Sequence, residues 1–449
     1  MEPLDLLIIG AGACGLVGAI SAHDAGGSVA IVEANATPGG NSRLSTGSIP
    51  GAGSRFQRSA GIEDDPARMV ADLSALAGPQ DSGDLLELVA RECAPLCEWL
   101  VDTLGVRLQL ITDYRHVGHS VERLHAPPSR RGQDLVDDLL SCVTARAIPL
   151  ATGQAAEHLL VREGKVCGAR IAGEDVEARN VLLATNGFGA NPGLVAEHCP
   201  EIARADYFGA RGSTGDAVRW GIDLGAALGN MAAYQGYAAV VYPLGQILSW
   251  TLIEQGGILV GQDGRRFASE DLGYSALARH VLAQGPFAWA IFDSRLHQAT
   301  LPEEDYAQIS QMGAVRWSDT AEGLAHALGV DGEGLSATLA RYGGPSERGD
   351  PFGRQDLGLA PLQAPYAGVT VKPGLFHTQG GLRVDTQARV LRHAGGVVPN
   401  LYAGGGAAMG ISGRKGAAGY ASGNGLITAM VLGRQAGLSA VQAAHSTAA

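Results

Sequence analysis

The segment Gly10-Ala11-Gly12-Ala13-Cys14-Gly15 sets three glycines at the spacing GxGxxG, and Glu33 closes the next apolar run. These residue types at this spacing suit a dinucleotide. The first glycine makes a tight turn, the second lets backbone approach a pyrophosphate, and the third lets helix and strand pack closely. A helix starting at the motif offers free N–H groups and a partial positive charge to the phosphates. Glu33 is placed to accept hydrogen bonds from ribose hydroxyls. The chain holds 65 glycines, so the motif by itself could be a strand–helix turn with no ligand. Its weight comes from the elements around it.

Those elements have the required order. Leu4–Ile9 is a continuous apolar run ending at Gly10, as expected of a buried parallel strand. Ala13–Ala25 predicts a helix and Ser28–Glu33 a second strand, which completes one βαβ unit. Pro66–Ala77, Asp84–Leu104 and Gly132–Arg146 have amphipathic helical spacing. Glu157–Ile171 predicts a β-hairpin turning at Glu163-Gly164-Lys165, and Asn180–Ala184 a short buried strand. From about Asn230 to Lys372 prolines and aromatics rise and βαβ signals fade. Near Gly380 the first texture returns, with a strand at Leu401–Ala403, a turn at Gly404–Gly406 and a helix at Gly423–Gly437. The expected fold class is α/β. One domain is built from residues 1–231 and 373–449, with a second inserted at 232–372.

Composition narrows the function. The net charge of −12 and the lack of any Lys/Arg run argue against a nucleic-acid partner. The cysteines Cys14, Cys93, Cys97, Cys142, Cys167 and Cys199 form no CxxC pair and no iron–sulfur spacing. Scattered thiols fit a reducing compartment, so a cytoplasmic location is expected. The apolar start carries Glu2 and Asp5, is interrupted by glycines, and lacks the basic flank of a signal peptide. No apolar stretch is long enough to span a membrane. No metal site is expected.

GxGxxG does not distinguish NAD from FAD. The second glycine pair, in Gly39-Gly40-Asn41-Ser42, resembles the flavoprotein pattern in which the chain turns back along the pyrophosphate. No second GxGxxG appears mid-chain to suggest a separate nicotinamide domain. Several further segments extend the likeness: Leu183–Pro192, Ser213-Thr214-Gly215-Asp216, Gly264–Glu270, His377-Thr378-Gln379-Gly380-Gly381, Asn400–Gly405 and Ser422–Leu426. In this order, over nearly the whole chain, they resemble the fumarate reductase and succinate dehydrogenase flavoprotein superfamily, which also holds 3-ketosteroid dehydrogenases and tricarballylate dehydrogenase. The resemblance implies a bipartite Rossmann-type FAD-binding domain with an inserted α+β capping domain. It implies FAD contacts at Gly10, Gly12, Ala13, Cys14, Gly15, Glu33, Ala34, Gly39, Gly40, Asn41, Ser42, Thr46, Gly47, Ala155, Ala184, Thr185, Asn186, Gly187, Asp216, Gly405, Gly423, Asn424 and Leu426. Some members attach FAD to a histidine just after the glycine pair. Asn41 stands near that place, and no histidine lies between Gly40 and Arg55, so non-covalent FAD is expected.

At the substrate the chain departs from the fumarate reductases it resembles. They are similar to one another in two arginines and two histidines. Motif by motif, one arginine position corresponds to Tyr274, the other to Tyr420, one histidine position to Tyr237, and the second histidine is kept as His377. Arginine pairs suit dicarboxylates through bidentate charged hydrogen bonds. A tyrosine O–H can donate to a ketone, and a tyrosinate can take an acidified α-proton. This arrangement resembles the ketosteroid dehydrogenases. Tyr420-Ala421-Ser422-Gly423 also resembles tricarballylate dehydrogenase, and Arg414, in a Gly/Ala-rich loop, is a candidate clamp for a carboxylate. Each tyrosine has a plain alternative as a half-buried packing residue.

The expectation is an FAD-dependent CH–CH oxidoreductase that desaturates a cyclic or activated ketone: Tyr420 polarises the carbonyl, Tyr274 or Tyr237 removes the α-proton, and the β-hydride passes to flavin N5. His377 and Arg414 would orient any carboxylate. The alternatives are a dehydrogenase or reductase of a small polycarboxylate, and an FAD-binding scaffold with no substrate. The expected partners are a small ketone or carboxylate and an electron acceptor.

Overall fold

A computed structural model describes residues 3–448 apart from 82, 114 and 345–348, with backbone alone at 447 and 448. The chain forms two compact units. One comprises the residues up to Cys199, Gly209–Gln235 and the chain from His377 onward. The other comprises Pro200–Phe208 and Gly236–Phe376.

The first unit is built on a six-stranded sheet: β1 (Leu6–Ile9), β2 (Val29–Glu33), β3 (Leu150–Thr152), β4 (Val181–Leu183), β5 (Arg389–Leu391) and β6 (Val397–Ala403), in the order β5-β6-β4-β1-β2-β3. β1 runs parallel to β2 on one side and to β4 on the other, with Leu7 opposite Val181 and Ala30. β4–β6 and β2–β3 are parallel as well, and only the edge strand β5 is antiparallel. All four residues of β1 are buried, which is why its sequence is apolar without alternation. The chain leaves β1 in one direction to β2 and reaches β4 on the other side. The carboxyl end of β1 is therefore a switch point, where open α/β sheets bind ligands.

Two helices pack on this sheet, α1 (Ala13–Asp24) and α2 (Asn424–Ala448). Glycines let their backbones nearly touch: a Cβ on Gly433 would overlap the Cys14 carbonyl oxygen, and one on Gly437 the Gly18 carbonyl oxygen. The sequence predicts this helix over Gly423–Gly437. Gly437 serves the helix contact instead, and α2 continues with Ala440, Val441 and Ala444 buried. Helices at Pro66–Ala77, Gly83–Asp102 and Gly132–Ala145 lie where the sequence periodicity predicts them. The hairpin Ala156–Arg162/Lys165–Ile171 turns through positive φ at Glu163 and Gly164, and a third strand, Glu174–Glu177, pairs beside it.

In the second unit, Ile258–Val260, Ala288–Asp293 and Tyr366–Thr378 are consecutive antiparallel strands. The sequence left Pro200–Phe208 with the first domain. It clusters here because Asp206 and Tyr207 pair with Gly374 and Leu375 in parallel register. The segment Gly264–Glu270 forms a buried ionic knot. Arg266 binds Glu270 and Asp350, Arg354 lies 3.4 Å from Glu270, and each of these side chains is at most 5% exposed. The Tyr342 ring faces both guanidinium groups at 5.0 and 5.7 Å. Removing one charge from such a knot strands another without water and costs about 3–5 kcal/mol. The knot holds the start of the helix Gly273–Gln284, which carries Tyr274.

Arg123 is a second buried cation, in the first unit. It binds both carboxylate oxygens of Asp64 at 2.9 and 2.8 Å, and Asp72 at 2.8 Å. Beside it, His119 and His125 are buried, and burial pushes both imidazoles from the ordinary 6.5 down to about 4. A histidine kept neutral in the fold binds a proton on unfolding at any pH between those values. Stability is therefore fully present above pH 6.5 and is lost as pH falls toward 4. Urea unfolding measured at successive pH values should show stability rising between pH 4.5 and 6.5, with roughly 1.4 kcal/mol per pH unit attributable to each of these two histidines. His116 and His377, which burial also pushes down, to about 3 and about 4, add to the same rise, so the double variant His119→Gln, His125→Gln should lower the slope by the share of two histidines without abolishing it. An unchanged slope would contradict the buried neutral state.

Candidate active site

The end of β1 turns so sharply into α1 that two of the three motif glycines are needed by the fold alone. A Cβ on Gly10, at φ +110, would overlap the Ala184 carbonyl oxygen at the end of β4, and one on Gly15 would overlap the Gly10 carbonyl oxygen. Gly12 differs. A Cβ there would meet nothing closer than Gly39 O at 3.6 Å and Ser42 Oγ at 3.7 Å, which is ordinary contact. The protein does not need a glycine at 12 for itself. A ligand lying against that backbone would need one.

The second glycine pair is folded onto the first turn. Gly12 and Gly39 form a parallel bridge, and Ser42 Oγ accepts from the Ala13 N–H at 3.1 Å. Gly39 and Gly40 have φ of +119 and +50, strained for any other residue. Glu33 is 7% exposed, and its carboxylate accepts from Ala11 N at 2.9 Å and from Asn35 N and Nδ2 at 2.8 Å. Those bonds fix it at the end of β2 and leave lone pairs for ribose hydroxyls. Ala34 follows on the exposed side, and the Gln154 N–H bonds Glu33 O, which brings Ala155 alongside.

From the far side of the sheet come Ala184–Gly187, Gly405 and the start of α2. Asn186 sits at φ +67 and accepts from Gly187 N and from Asn41 Nδ2 at 3.0 and 3.3 Å. Asn41 Oδ1 in turn accepts from Ala210 N at 2.6 Å. Asn41 therefore ties segments together, and it is an amide where an attachment histidine would stand. Cys14 lies against Gly405, and Gly423 against Pro50 and Ser48. Thr46 bonds Ser48 at 3.0 Å, Gly47 N bonds Ser45 Oγ at 3.0 Å, and Leu426 is partly buried at the first turn of α2. Thr185 Oγ1 and both amide atoms of Asn424, a residue only 1% exposed, are buried with no protein partner. Buried polar atoms without partners are costly, and a polar cofactor edge would satisfy them. The Asp216 carboxylate binds Thr214 Oγ1 at 2.7 Å and Arg219 at 2.6 Å, at the N-terminus of its own helix.

Next to this cradle His377 and Tyr420 meet. Their rings cross edge to face, with centroids 5.8 Å apart. The imidazole lies over the first turn of α2, where a Cβ on Gly425 would stand 3.0 Å from His377 Cε1. Its Nδ1 is 3.2 Å from Thr378 O and 3.3 Å from Gln379 Nε2. Burial pushes this histidine down to about 4, so it is neutral at pH 7. The paired glycines after it have a reason in the fold, since a Cβ on Gly380 would overlap Met231.

Tyr237 and Arg414, both expected at the substrate, have partners of their own. Tyr237, in the second unit, stacks between Tyr274 (4.9 Å) and Phe376 (5.2 Å), and its hydroxyl donates to Leu248 O at 2.9 Å. A Tyr237 acting as base would first have to give up this hydrogen bond to a backbone carbonyl. Arg414 has a side chain 58% exposed and bonds Asp81 at 2.8 Å, so a substrate carboxylate would have to displace Asp81 in competition with water. Tyr274 is half-buried near the start of its helix, in the aromatic cluster with Tyr237 and Trp250. His119 and Arg123, buried beside Ser422, were not among the expected site residues. The visible signal was three histidines, His116, His119 and His125, crowded around Arg123.

Residues 5–425 match the family described as FAD binding domain. The chain belongs to this family. It is 29% identical to a probable fumarate reductase of Shewanella frigidimarina, over 97% of this chain and 74% of that protein. It is 29% identical to the NADH:fumarate oxidoreductase of Klebsiella pneumoniae, over 96% of this chain but only 47% of that one. The open conformation of a flavocytochrome c3 fumarate reductase superposes with a TM-score of 0.83 at 29% identity, covering 99% of this chain and 79% of that one. A 3-ketosteroid Δ4-(5α)-dehydrogenase of Rhodococcus jostii shares the fold, with a TM-score of 0.77 at 24% identity over 98% of this chain and 97% of that one. The chain is an FAD-dependent oxidoreductase of the fumarate reductase and succinate dehydrogenase flavoprotein superfamily, with the α/β architecture of a Rossmann-type FAD domain and a capping domain. Among the described residues, no helix is long and apolar enough to cross a membrane.

The glycines separate folding from binding. Gly12→Val should give a folded protein with normal far-UV circular dichroism and little or no FAD. Gly15→Ala should lower the thermal midpoint or prevent soluble expression, because its Cβ meets backbone. Full FAD occupancy in Gly12→Val would show that the pyrophosphate lies elsewhere.

Proposed function

We propose that this chain dehydrogenates a CH–CH bond next to the carbonyl of a cyclic or otherwise activated ketone. The observation that carries this reading is Tyr420 set edge to face against the neutral His377 beside the cradle. A dicarboxylate calls for guanidinium groups, but the candidate clamp Arg414 is bonded to Asp81, and the buried arginines are paired within the protein, Arg123 with Asp64 and Asp72, Arg266 and Arg354 with Glu270. A phenol instead suits a carbonyl on which negative charge develops.

FAD, held without a covalent bond, would supply the two-electron acceptor for the β-hydride. Tyr420 donates its O–H to the substrate carbonyl and so acidifies the α-carbon. Neutral His377, against Tyr420 and Gly425, shapes the floor without adding charge. The α-proton goes to a tyrosine of the second unit, Tyr274 or Tyr237. The substrate loses one proton and one hydride, and an external acceptor must remove the electrons. The relatives named as fumarate reductases support a second reading, a small polycarboxylate as the substrate. That substrate would need a cation, which Arg414 could give only by leaving Asp81.

Three outcomes are expected. Acid precipitation should release the flavin into the supernatant; flavin retained on the polypeptide would exclude non-covalent binding. With phenazine methosulfate as acceptor, saturated cyclic ketones should bleach the dye coupled to turnover, whereas fumarate with reduced viologen should be turned over poorly. Reversal of that preference would favour the polycarboxylate. Tyr420→Phe should keep the flavin spectrum and lose about a hundredfold to a thousandfold in rate, as for loss of an oxyanion donor. Tyr237→Phe should lose about 1 kcal/mol of stability with its hydrogen bond, and whichever of Tyr237→Phe and Tyr274→Phe loses the rate identifies the base.

A further inference from the structure

We propose that His119 is a positioning residue for Tyr420, acting through the peptide of Ser422; this rests on Tyr420 being the carbonyl donor. The segment 117–119 grips Ser422 at both ends. The Ser422 N–H donates to Val117 O at 3.0 Å, and His119 Nε2 lies 2.8 Å from Ser422 O. Between them Gly118, at φ +85, lies flat on Ala421, where a Cβ would collide with the Ala421 side chain. The residues straddled are the two that follow Tyr420.

The geometry fixes the histidine tautomer. A carbonyl oxygen only accepts, so Nε2 must carry the proton, and Nδ1 is then an acceptor. Nδ1 faces Arg123 Nη1 at 3.4 Å, a long contact but one with a donor. Arg123 cannot swing away, because Asp64 and Asp72 hold three of its nitrogens. The line Asp64/Asp72–Arg123–His119–Ser422 thus runs through the buried interior to the backbone that sets where the Tyr420 hydroxyl stands. Misplacing a catalytic group by about 1 Å can cost on the order of a hundredfold, so a clamp on this backbone bears on rate and not only on stability.

The test compares FAD-loaded wild type with His119→Leu, which removes the donor, and His119→Gln, which keeps an N–H at similar reach. Hydrogen exchange is read on the peptide spanning residues 418–424. His119→Leu should speed exchange at Ser422 about fivefold to tenfold, as for loss of one hydrogen bond, with FAD content unchanged; His119→Gln should stay near wild type. On a cyclic ketone with phenazine methosulfate, His119→Leu should lower kcat at least tenfold. The double variant with Tyr420→Phe should then be no slower than Tyr420→Phe alone, because the two act as one unit. Unchanged exchange in His119→Leu, a His119→Gln as impaired as His119→Leu, or rate losses that multiply in the double variant would each overturn the proposal. If His119→Leu does not fold, His119→Asn takes its place, since its shorter amide reaches toward Arg123 but not Ser422. If wild type turns over no ketone, the ketone reading fails, and the exchange result decides the clamp by itself.

Discussion

Backbone crowding at the end of β1 governs the arrangement of the first unit. Gly10 sits against the Ala184 carbonyl, Gly15 against Gly10, and Gly433 against Cys14, so the strand end, α1 and α2 are pressed together with no side chain between them. That crowding brings the carboxyl ends of β1, β4 and β6 and the start of α2 to one place. Gly12 alone among the motif glycines faces space, and the second glycine pair closes over it through the Gly12–Gly39 bridge. The cofactor cradle is what remains when backbone packs as closely as glycine permits.

Charge is distributed by the same economy. The chain keeps several arginines out of water, and each is paired within the protein: Arg123 with Asp64 and Asp72, Arg266 and Arg354 with Glu270. Buried charges demand such pairing, because desolvation otherwise outweighs any gain. The pairing also decides what is left to face a substrate. Beside the cradle stand the Tyr420 phenol and the His377 imidazole, the latter kept neutral by burial, and the proposed recognition of a carbonyl there would depend on hydrogen-bond direction rather than on net charge.

The two knots also divide labour between stability and placement. The knot around Arg266 lies just ahead of the helix bearing Tyr274, and the one around Arg123 reaches the peptide after Tyr420. In each, buried paired charges stand next to backbone that leads to a candidate catalytic side chain. A polar network that is fully bonded and dry is stiff, and stiffness is what a donor aimed at a developing charge requires.

The sequence by itself determined the parts governed by near neighbours. GxGxxG after an apolar run, Glu33 at the next strand end, the helix Pro66–Ala77 and the hairpin at Glu163-Gly164 all follow from local periodicity and turn chemistry, and ordered motifs over most of the chain carried the family and its FAD. Tertiary structure decided which polar side chains remain available, because their partners lie far along the chain. The Tyr237 hydroxyl donates to Leu248 O, Arg414 is claimed by Asp81, and His119 reaches Ser422, 303 residues away. It also moved Pro200–Phe208 to the second unit by pairing Asp206 with Gly374, and carried α2 past Gly437 because a helix contact needed that glycine. Residue type shows what a side chain can do, but a hydrogen bond is spent on whichever partner the fold brings within reach, and that partner is absent from any local window of sequence.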